Sequence, residues 1–481
     1  MEQQLIDPNR RYVGVKENFI FGVANGGQCL SFSLLVSYLT YFYVNIFNID
    51  PKIVATMLFF EGIWDTVNDP LMGSVVDRTR TRFGKLRPYL LGVPLPMALA
   101  TVFFFAGPMF LHDPSPRAPS KVIYMVITYF VWEFLYTMSD VPFWGMAAAI
   151  SPSPADRTRA ITSARLISGI IGSIPTVIIP ILIDLTENNM IGTSIKQIFF
   201  VAGSTAGVIG MALFLLSGIF VKERVAQSVD APKLKGCYEC ITQNPPLKLI
   251  ILQNVLGSLG GIGGIFGTYY FIDVLGSASA AIIIGIPGAV VSLFSFALIT
   301  KIKARYNNKQ IVIASKLIND LLNLLMFFLC IKRYTDIRFM IPVMMVRSTI
   351  SAFFSGVNAV VPTEMVADSV DYMEWTTGQR SEGMSFSVLT LIGKLNGAVS
   401  RSLGALLISV IGYKTSSSDA IVPQTDAVKF RIFAMNTIVP TLLGLFSIIP
   451  IFFYDLVGDK QQRMLNDLAK RRERLAVEAK K

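Results

Sequence analysis

The sequence predicts an all-α membrane protein in which twelve transmembrane helices form two six-helix repeats. Three observations lead to this prediction. Hydrophobic residues make up 52% of the 481-residue chain and charged residues 16%, whereas soluble domains carry about 25% charged residues. Twelve apolar stretches, each close to the roughly 20 residues that span a bilayer, recur along the chain. A polar segment separates these stretches into six and six, and the two halves share features at matching positions.

The shared features lie in the first two spans of each half. The first span is rich in glycine in both halves, at 21–27 and at 257–267, and a basic loop follows the second span, at 77–87 and at 301–305. Such repeats place a substrate site near the bilayer midplane, between the halves. We therefore predict four segments: an amino-terminal six-helix bundle at 1–221, a cytoplasmic middle loop at 222–245, a carboxyl-terminal six-helix bundle at 246–456 and a basic cytoplasmic tail at 457–481.

Positive charge is distributed unequally between the loops. Lys and Arg number 43 against 32 Asp and Glu, and they concentrate in loops on the side of the two termini, for example at 470–474. This asymmetry predicts a multi-pass protein of the inner (cell) membrane with both termini in the cytoplasm. The net charge of +11 therefore reflects membrane topology, and we expect no nucleic-acid partner. In the tail we expect a solvated or membrane-surface helix, with Leu465, Leu468 and Leu475 on one side.

Enzyme chemistry has no recognisable motif in this chain. The sequence contains no G-x-S-x-G elbow, no H-E-x-x-H and no Walker loop, so we predict neither an enzyme nor an ATP-driven pump. Cys237 and Cys240 form one isolated C-x-x-C, which does not make a zinc site, and the single histidine, His112, lies in a predicted loop. We expect no organic cofactor.

Charged residues inside the predicted spans mark candidate functional positions, because a charge in hydrocarbon is costly. They are Glu61, Asp65, Asp69, Glu133, Asp140 and Arg165 in the first half, and Lys316, Asp320, Arg347, Glu364, Lys394 and Arg401 in the second half.

Three of these acids share one helix face. Glu61, Asp65 and Asp69 follow one another at steps of four residues, a spacing that places them on the same side of a helix. Asp65, Asn68 and Asp69 supply the hard oxygen atoms that an alkali cation prefers, and the carboxylates could carry a proton instead. The alternative is structural pairing with basic residues such as Lys394.

A second group has the character of a sugar site. Asp140 lies in the middle of a predicted span beside Trp144. A carboxylate accepts hydrogen bonds from hydroxyl groups, and an indole covers the apolar face of a sugar ring. Arg165, on the next span, can bind both Asp140 and a hydroxyl. Lys394 lies on a small-residue helix of the second half, where it either links ion and sugar occupancy or only balances charge.

The loop after the second span is a candidate cytoplasmic gate. Gly73 allows close helix contact, and the charged residues that follow can form pairs between helices that break when the halves rock. The loop also carries positive charge that directs topology. The gate residues that we predict are Gly73, Asp77, Arg78, Gly84 and Lys85.

These motifs resemble a known family. The stretches "GIWDTVNDPLMGSVVDRTRTRFGKLRP" and "YTMSDVPFW", with residues 362–394, are similar to the glycoside–pentoside–hexuronide:cation symporters, the melibiose-permease-like branch of the major facilitator superfamily. The resemblance covers roughly residues 18–455. It implies the twelve-helix major facilitator fold and import of a glycoside by alternating access, coupled to Na⁺ or alternatively to H⁺ or Li⁺.

The resemblance also implies site residues. Those for the cation are Asp65, Asn68, Asp69 and Thr137, with Asp65 and Asp69 as the sodium ligands; those for the substrate are Asp140, Trp144, Arg165, Thr390 and Lys394. One position departs from the family: the first helix lacks the acid of melibiose permease. Gln28 is the nearest candidate to replace it, with Cys29 as the other alignment.

The substrate class stays open on sequence grounds. A di- or oligosaccharide, a pentoside and a glucuronide all fit, and Arg165 favours an anionic sugar. Glu61 departs from the family pattern, which leaves the coupling ion open. A transporter of lipid-like amphiphiles and a non-transporting sugar sensor are the alternatives. As partners we expect a small-molecule sugar and the lipid bilayer, with a functional monomer.

Overall fold

The protein is helical throughout the part of the chain that the computed structural model describes, which comprises residues 11–224, 242–377, 382–415 and 422–478. Those residues contain no β-strand, and eight of their helical segments are long and apolar enough to cross a membrane. An all-α membrane protein is therefore confirmed. The count of twelve stays a prediction, since the helix 51–78 carries too many acids to be among the eight and 94–110 is short for a span.

The chain forms two compact units. The first comprises Met1–Ala231 with Ala405–Pro423, and the second Pro232–Gly404 with Gln424–Lys481. In the first unit the helices are α1 (Val15–Tyr41), α2 (Pro51–Arg78), α3 (Arg87–Gly92), α4 (Pro94–Phe110), α5 (Pro119–Ala149), α6 (Pro154–Gly172), α7 (Ile174–Glu187) and α8 (Ile195–Phe220).

The second unit begins with a broken helix. In this unit lie α9 (Pro245–Ser258), a 3₁₀ turn (Leu259–Gly261), α10 (Ile262–Tyr269), α11 (Ala280–Lys303), α12 (Asn308–Cys330), α13 (Ile337–Ala352), α14 (Ser355–Thr377), α15 (Glu382–Val410), α16 (Asp426–Asn436), α17 (Ile438–Leu445), α18 (Ile448–Phe452) and α19 (Asp459–Glu478). The last residues of α15, from Ala405 on, belong to the first unit.

The first long helix of each unit ends in a π-helical turn, at Phe42–Ile46 and at Tyr270–Val274. The two turns have similar sequences, "TYFYVNIF" at 40–47 and "TYYFIDVL" at 268–275. This likeness escaped the sequence analysis, which compared only the glycines of the two spans. Single π turns are rare and are frequent at functional sites.

A local cap explains where α2 begins. Pro51 occupies the first turn, where its missing N–H costs nothing, and the Asp50 carboxylate accepts the Lys52 N–H at 2.9 Å. Arg117 Nε contacts the other Asp50 oxygen at 2.7 Å. Partial burial acts to raise the pKa of Asp50, but the Lys52 N–H and the Arg117 guanidinium outweigh it, so the pKa lies below its usual value.

Glycine lets α1 pack closely in the first unit. A Cβ on Gly27 would lie 2.3 Å from the carbonyl oxygen of Gly210 on α8, and one on Gly210 would lie 2.4 Å from the oxygen of Gly27. Small residues at such crossings bring helix backbones together in membranes. The Phe21 ring stacks on Phe143 of α5 at 4.4 Å between centroids. These contacts hold the buried face of α1 against the helices that carry the site.

The carboxyl-terminal helix is docked, which corrects the expectation of a solvated or membrane-surface tail. Met464 and Leu468 of α19 are 0% and 1% exposed and pack in a core with Val366 and Met373 of α14. Leu465, which we expected on the same side as Leu468, is 40% exposed. The amphipathic pattern was correctly recognised, but the covering surface is protein. The side chain of Leu475 lies outside the described residues, as do Cys237 and Cys240.

Candidate cation and substrate site

Three carboxylates from two helices, two of them buried and one half-buried, form the centre of the site. Glu61 and Asp65 on α2 and Glu133 on α5 each offer an oxygen atom, and these atoms all lie within 4.8 Å of one another. Glu61 is 2% exposed and Glu133 is 7% exposed. Carboxylate oxygens at this separation are suited to surround a hard cation or to share a proton.

This cluster differs from the cation set that we predicted. Of that set, only Asp65 belongs to the three clustered carboxylates, and Asp69 does not. Asn68 is 1% exposed, and its Nδ2 atom has no hydrogen-bond partner among the described residues. Thr137, one turn after Glu133 on α5, is 2% exposed. Glu133 had been noted as a charge inside a span, but nothing in its local sequence linked it to α2.

One face of α5 connects the acids with the predicted sugar residues. Glu133, Thr137, Asp140 and Trp144 follow at steps of four, three and four residues along this 31-residue helix, a spacing that places them on one side. On the same helix, the Tyr136 ring stacks on Trp132 and on Phe32 of α1, at centroid distances of 5.2 and 4.8 Å. The aromatic stack keeps this part of α5 against α1.

Two of the predicted sugar residues of the first unit contact each other. The Arg165 guanidinium lies over the Trp144 ring at 4.3 Å, a cation–π contact that orients both groups. Gln28 is 1% exposed and donates from Nε2 to Ser139 Oγ at 3.0 Å. A guanidinium from α6 and an indole from α5 thus lie in contact, and Gln28 of α1 is bonded to the residue that precedes Asp140, although their roles stay predictions.

Cys29, the alternative to Gln28 at the departing family position, also borders this region. The Cys29 thiol and the Ser168 side chain form a hydrogen bond. The charges of Asp140 and Arg165 both act on this thiol. Two adjacent residues of α1, Gln28 and Cys29, therefore border this region.

Two predicted site residues belong to the second unit. Lys394 is half-buried on α15, and its approach to Asp65 and Asp69 stays a prediction. Thr390 lies on the same helix, and its side chain is outside the described residues.

The gate loop is fixed to the end of α8 by an acid that sequence reasoning missed. Glu223 accepts hydrogen bonds from the backbone N–H groups of Lys85 and Leu86 at 3.0 and 3.1 Å. Gly84 has φ +108°, and a Cβ there would lie 2.3 Å from Glu223 Oε2. Glycine is therefore favoured at position 84 by its backbone conformation, and a Cβ there would also displace the Glu223 carboxylate. Because Glu223 binds backbone atoms, no charge pattern in the loop indicates it.

In the part of the chain that the structure describes, Gly73 lacks the close helix contact that we predicted, whereas the pairing of the charged gate residues stays a prediction. No described atom would lie within 4 Å of a Cβ on Gly73, so the close helix contact expected there is absent among the described residues. Arg78 is exposed at the end of α2, and the side chain of Asp77 lies outside the described residues. The loop contacts the residues after α8 through the backbone N–H groups of Lys85 and Leu86, and roles for Asp77 and Arg78 stay predictions.

A second acid ties the start of α1 to the same region. Glu17 binds the Arg224 guanidinium through both carboxylate oxygens, each at 2.8 Å. This hydrogen-bonded pairing raises the pKa of Arg224 above its usual value. Fork-like pairs of this kind are stronger and more directional than single contacts.

The first unit also contains an apolar cavity of about 480 Å³ between α1, α7 and α8. Leu30, Ile178 and Ile198 are typical of its lining, in which Thr193, Gln197 and Thr205 are the polar members. A polyhydroxylated ligand would leave most of its hydroxyl groups without partners there. This cavity is therefore not the sugar site.

Membrane-spanning helices that enclose buried acids and a polar ligand site define a membrane transporter. Comparison with known proteins gives the family: residues 20–458 match the family described as MFS/sugar transport protein. The chain belongs to this family. Its members and the similar proteins below are membrane transporters, so the prediction that the chain is not an enzyme is confirmed.

Several characterised relatives cover nearly the full chain. The isoprimeverose transporter of Lactiplantibacillus pentosus is 26% identical over 96% of this chain and 92% of its own length. The inner membrane symporter YicJ of Escherichia coli is 26% identical over 96% of both chains. The glucuronide carrier protein homolog of Escherichia coli is 25% identical over 92% of this chain and 93% of its own. These relatives support the resemblance noted from the motifs.

Solved structures support the fold alone. The nucleoside transporter NupG superposes with a TM-score of 0.59 at 12% identity, covering 92% of this chain and 98% of its own. A bacterial homolog of the human lysosomal transporter Spinster gives 0.62 at 11% identity, covering 91% and 95%. The fold is therefore similar to that of these two transporters.

Proposed function

We propose that the protein is a cation-coupled symporter that imports a glycoside by alternating access. The observation that carries this proposal is the shared face of α5, on which Glu133 belongs to the carboxylate cluster and Asp140 and Trp144 belong to the sugar group. A cation and a glycoside that bind along one rigid helix can both stabilise the same conformation. This shared preference is the basis of coupling.

A cation or a proton is stabilised by the carboxylates of this cluster. At an effective dielectric constant of about 20, two unit charges 4.8 Å apart repel by about 3.5 kcal/mol, and Glu61, Asp65 and Glu133 form three such pairs at or within this distance. A bound cation or proton offsets this repulsion. We therefore place the coupling ion at these three residues, with Asn68, Asp69 and Thr137 nearby on α2 and α5. Na⁺, H⁺ and Li⁺ all fit the oxygen ligands.

The sugar residues recognise a hydroxylated ring. Asp140 accepts hydrogen bonds, Arg165 donates them while stacked on Trp144, and Gln28 offers an amide. Relatives named for isoprimeverose and for a glucuronide support a glycoside, either neutral or anionic. The relatives favour neither the amphiphile transporter nor the sensor.

The remaining predictions belong to the same proposal. The chain would have twelve spans in two six-helix repeats, act as a monomer in the inner membrane and keep both termini in the cytoplasm. Thr390 and Lys394 would complete the site from the second unit. The loop with Gly84 and Lys85, held by Glu223, would serve as the cytoplasmic gate.

Uptake into proteoliposomes tests the proposal. Labelled isoprimeverose, melibiose and a methyl glucuronide are offered with an inward Na⁺ gradient at fixed pH, and with a pH gradient without Na⁺. Accumulation of a glycoside that needs one gradient supports the proposal and identifies the ion. A protein that is correctly inserted but accumulates no glycoside under either gradient would refute it.

A further inference from the structure

The apolar cavity of the first unit is not used by the proposed function. Its volume of about 480 Å³ lies within the range of sites that hold a small organic molecule, roughly 300–1,000 Å³. Its floor consists of buried side chains, among them Leu34 of α1, Ile179 of α7 and Ile198 of α8. A molecule that fills such a space supplies packing contacts to the apolar lining, so the cavity is suited to an apolar ligand.

The cavity opens on the outer surface of α7 and α8. Ile178 and Val201 belong to its lining and are 46% and 58% exposed. Both helices lie in segments that are long and apolar enough to cross a membrane, and exposed apolar side chains on such helices face hydrocarbon. The cavity is therefore a groove that is continuous with the surface in contact with lipid. We call it the α7–α8 groove.

The length of the α7–α8 groove matches one leaflet of the bilayer. On α8 its lining runs from Gln197, in the first turn, to Ile209, near the middle of this 26-residue helix. The twelve residues between these positions correspond to about 18 Å at about 1.5 Å per residue, and one leaflet contributes about 15 Å to a hydrocarbon core of about 30 Å. The groove therefore extends from the membrane–water interface to about the bilayer centre, as one acyl chain does.

The interfacial end of the groove carries its polar and charged groups. Thr193 and Gln197 belong to the lining, and Lys196 lies half-buried in the first turn of α8. The amino-terminal end of a long helix and an ammonium group both favour an anion. The acids near the end of α7, Asp184 and Glu187, are not among the lining residues. A phosphate group at this end is therefore complementary in charge.

We propose that the α7–α8 groove binds one acyl chain of a membrane phospholipid, with the phosphate group of this lipid at the amino-terminal end of α8. The apolar lining gives little preference over bulk lipid, because lipid tails are as apolar as leucine. The preference for this site comes from the phosphate, which meets Lys196 and the helix terminus. The inference is independent of the proposed function, since a lipid binds there whether or not the chain imports a glycoside.

Native mass spectrometry of the full chain, delipidated in detergent and titrated with dioleoyl phosphatidylglycerol, tests the site. Ala202→Phe places a ring in the groove and should raise the Kd of the first lipid at least about 10-fold. Val208→Phe, on the exposed face of α8 outside the lining, is the matched control and should leave this Kd unchanged. Lys196→Gln should raise the Kd about 5-fold, whereas Lys52→Gln, at the start of α2, should not.

Tryptophan fluorescence gives a second readout that leaves the groove unfilled. Val201→Trp at the rim of the groove and Val208→Trp outside it both replace exposed side chains. With one brominated phosphatidylglycerol per protein in detergent, the Val201→Trp variant should lose fluorescence and the Val208→Trp variant should not. Equal quenching of these two variants, or a first-lipid Kd that a folded Ala202→Phe leaves unchanged, would overturn the site. If dioleoylglycerol, which lacks the phosphate, binds as tightly as phosphatidylglycerol, the phosphate contact is wrong.

Discussion

Replacing Glu133 by Gln removes one charge from the carboxylate cluster and keeps the size of the side chain. A cation among Glu61, Asp65 and Glu133 lies within about 5 Å of each carboxylate, and one such attraction is worth about 3.5 kcal/mol at an effective dielectric constant of about 20. Because Glu133 is 7% exposed, solvent screens little of it. The variant cluster carries less charge, so its desolvation costs less, and this offsets part of the lost attraction. We therefore expect cation affinity to fall about 100-fold.

The assay is the cation concentration that half-activates glycoside uptake in proteoliposomes. Glu187→Gln, an acid at the end of α7 outside the cluster, is the control and should leave the half-activating concentration unchanged. Asp69→Asn distinguishes the cluster from the cation set implied by the resemblance. If Glu133→Gln activates like wild type while Asp69→Asn is inactive, the cation is bound by the residues of the resemblance, and the electrostatic reasoning from the cluster is wrong.

Three further outcomes are expected. Gly84→Ala, which forces a Cβ against Glu223 at φ +108°, should slow transport at least several-fold in the uptake assay, whereas Gly73→Ala should not; equal rates for both would contradict the role given to the Glu223 contact. Leu468→Ala leaves a cavity in the core under α19 and should destabilise the protein by about 2–5 kcal/mol, read as a lower midpoint of thermal unfolding in detergent; Leu465→Ala, at an exposed position, is its control. Because the pKa of Asp50 is lowered, its pair with Arg117 stabilises the protein above the pKa of the unfolded carboxyl group, and this stabilisation is lost as pH falls through the lowered pKa of the folded state. Arg117→Ala should lower the free energy of unfolding by about 0.2–1 kcal/mol at neutral pH and leave it unchanged in strong acid. An equal effect at both pH values would refute this.

The fold class was predictable because its signals are local. Apolar length and the low charge content require no knowledge of which helices touch. The spacing on α5 likewise placed Asp140 and Trp144 on one face. The role of Glu133 was not predictable in this way. It depends on a contact between α2 and α5, which are separate segments of the sequence, and no local pattern encodes that contact.

The partner of the gate loop and the surface that covers α19 were not predictable for the same reason. Glu223 binds backbone N–H groups, which every residue possesses, so the sequence of the loop does not reveal its partner. In α19 the spacing of Leu465, Leu468 and Leu475 indicated an apolar face, but the spacing does not specify whether lipid or protein covers it. The structure supplies α14 as the covering surface.

The distance along α5 limits how the ion and the sugar can communicate. Glu133 and Asp140 are seven residues apart, which is about 10 Å at 1.5 Å per residue, and a unit charge added at the cluster shifts the energy of a charge near Asp140 by about 1.6 kcal/mol at a dielectric constant of about 20. For an anionic glucuronide this corresponds to about a 10-fold gain in affinity on cation binding, and linkage requires the same gain for the cation. A matched neutral glucoside carries no net charge and should gain much less. Binding constants for both sugars, measured with and without the coupling ion, decide whether the coupling is electrostatic or conformational. If the neutral sugar gains as much as the glucuronide, the coupling is conformational, because the field along α5 cannot act on a neutral ligand to that extent.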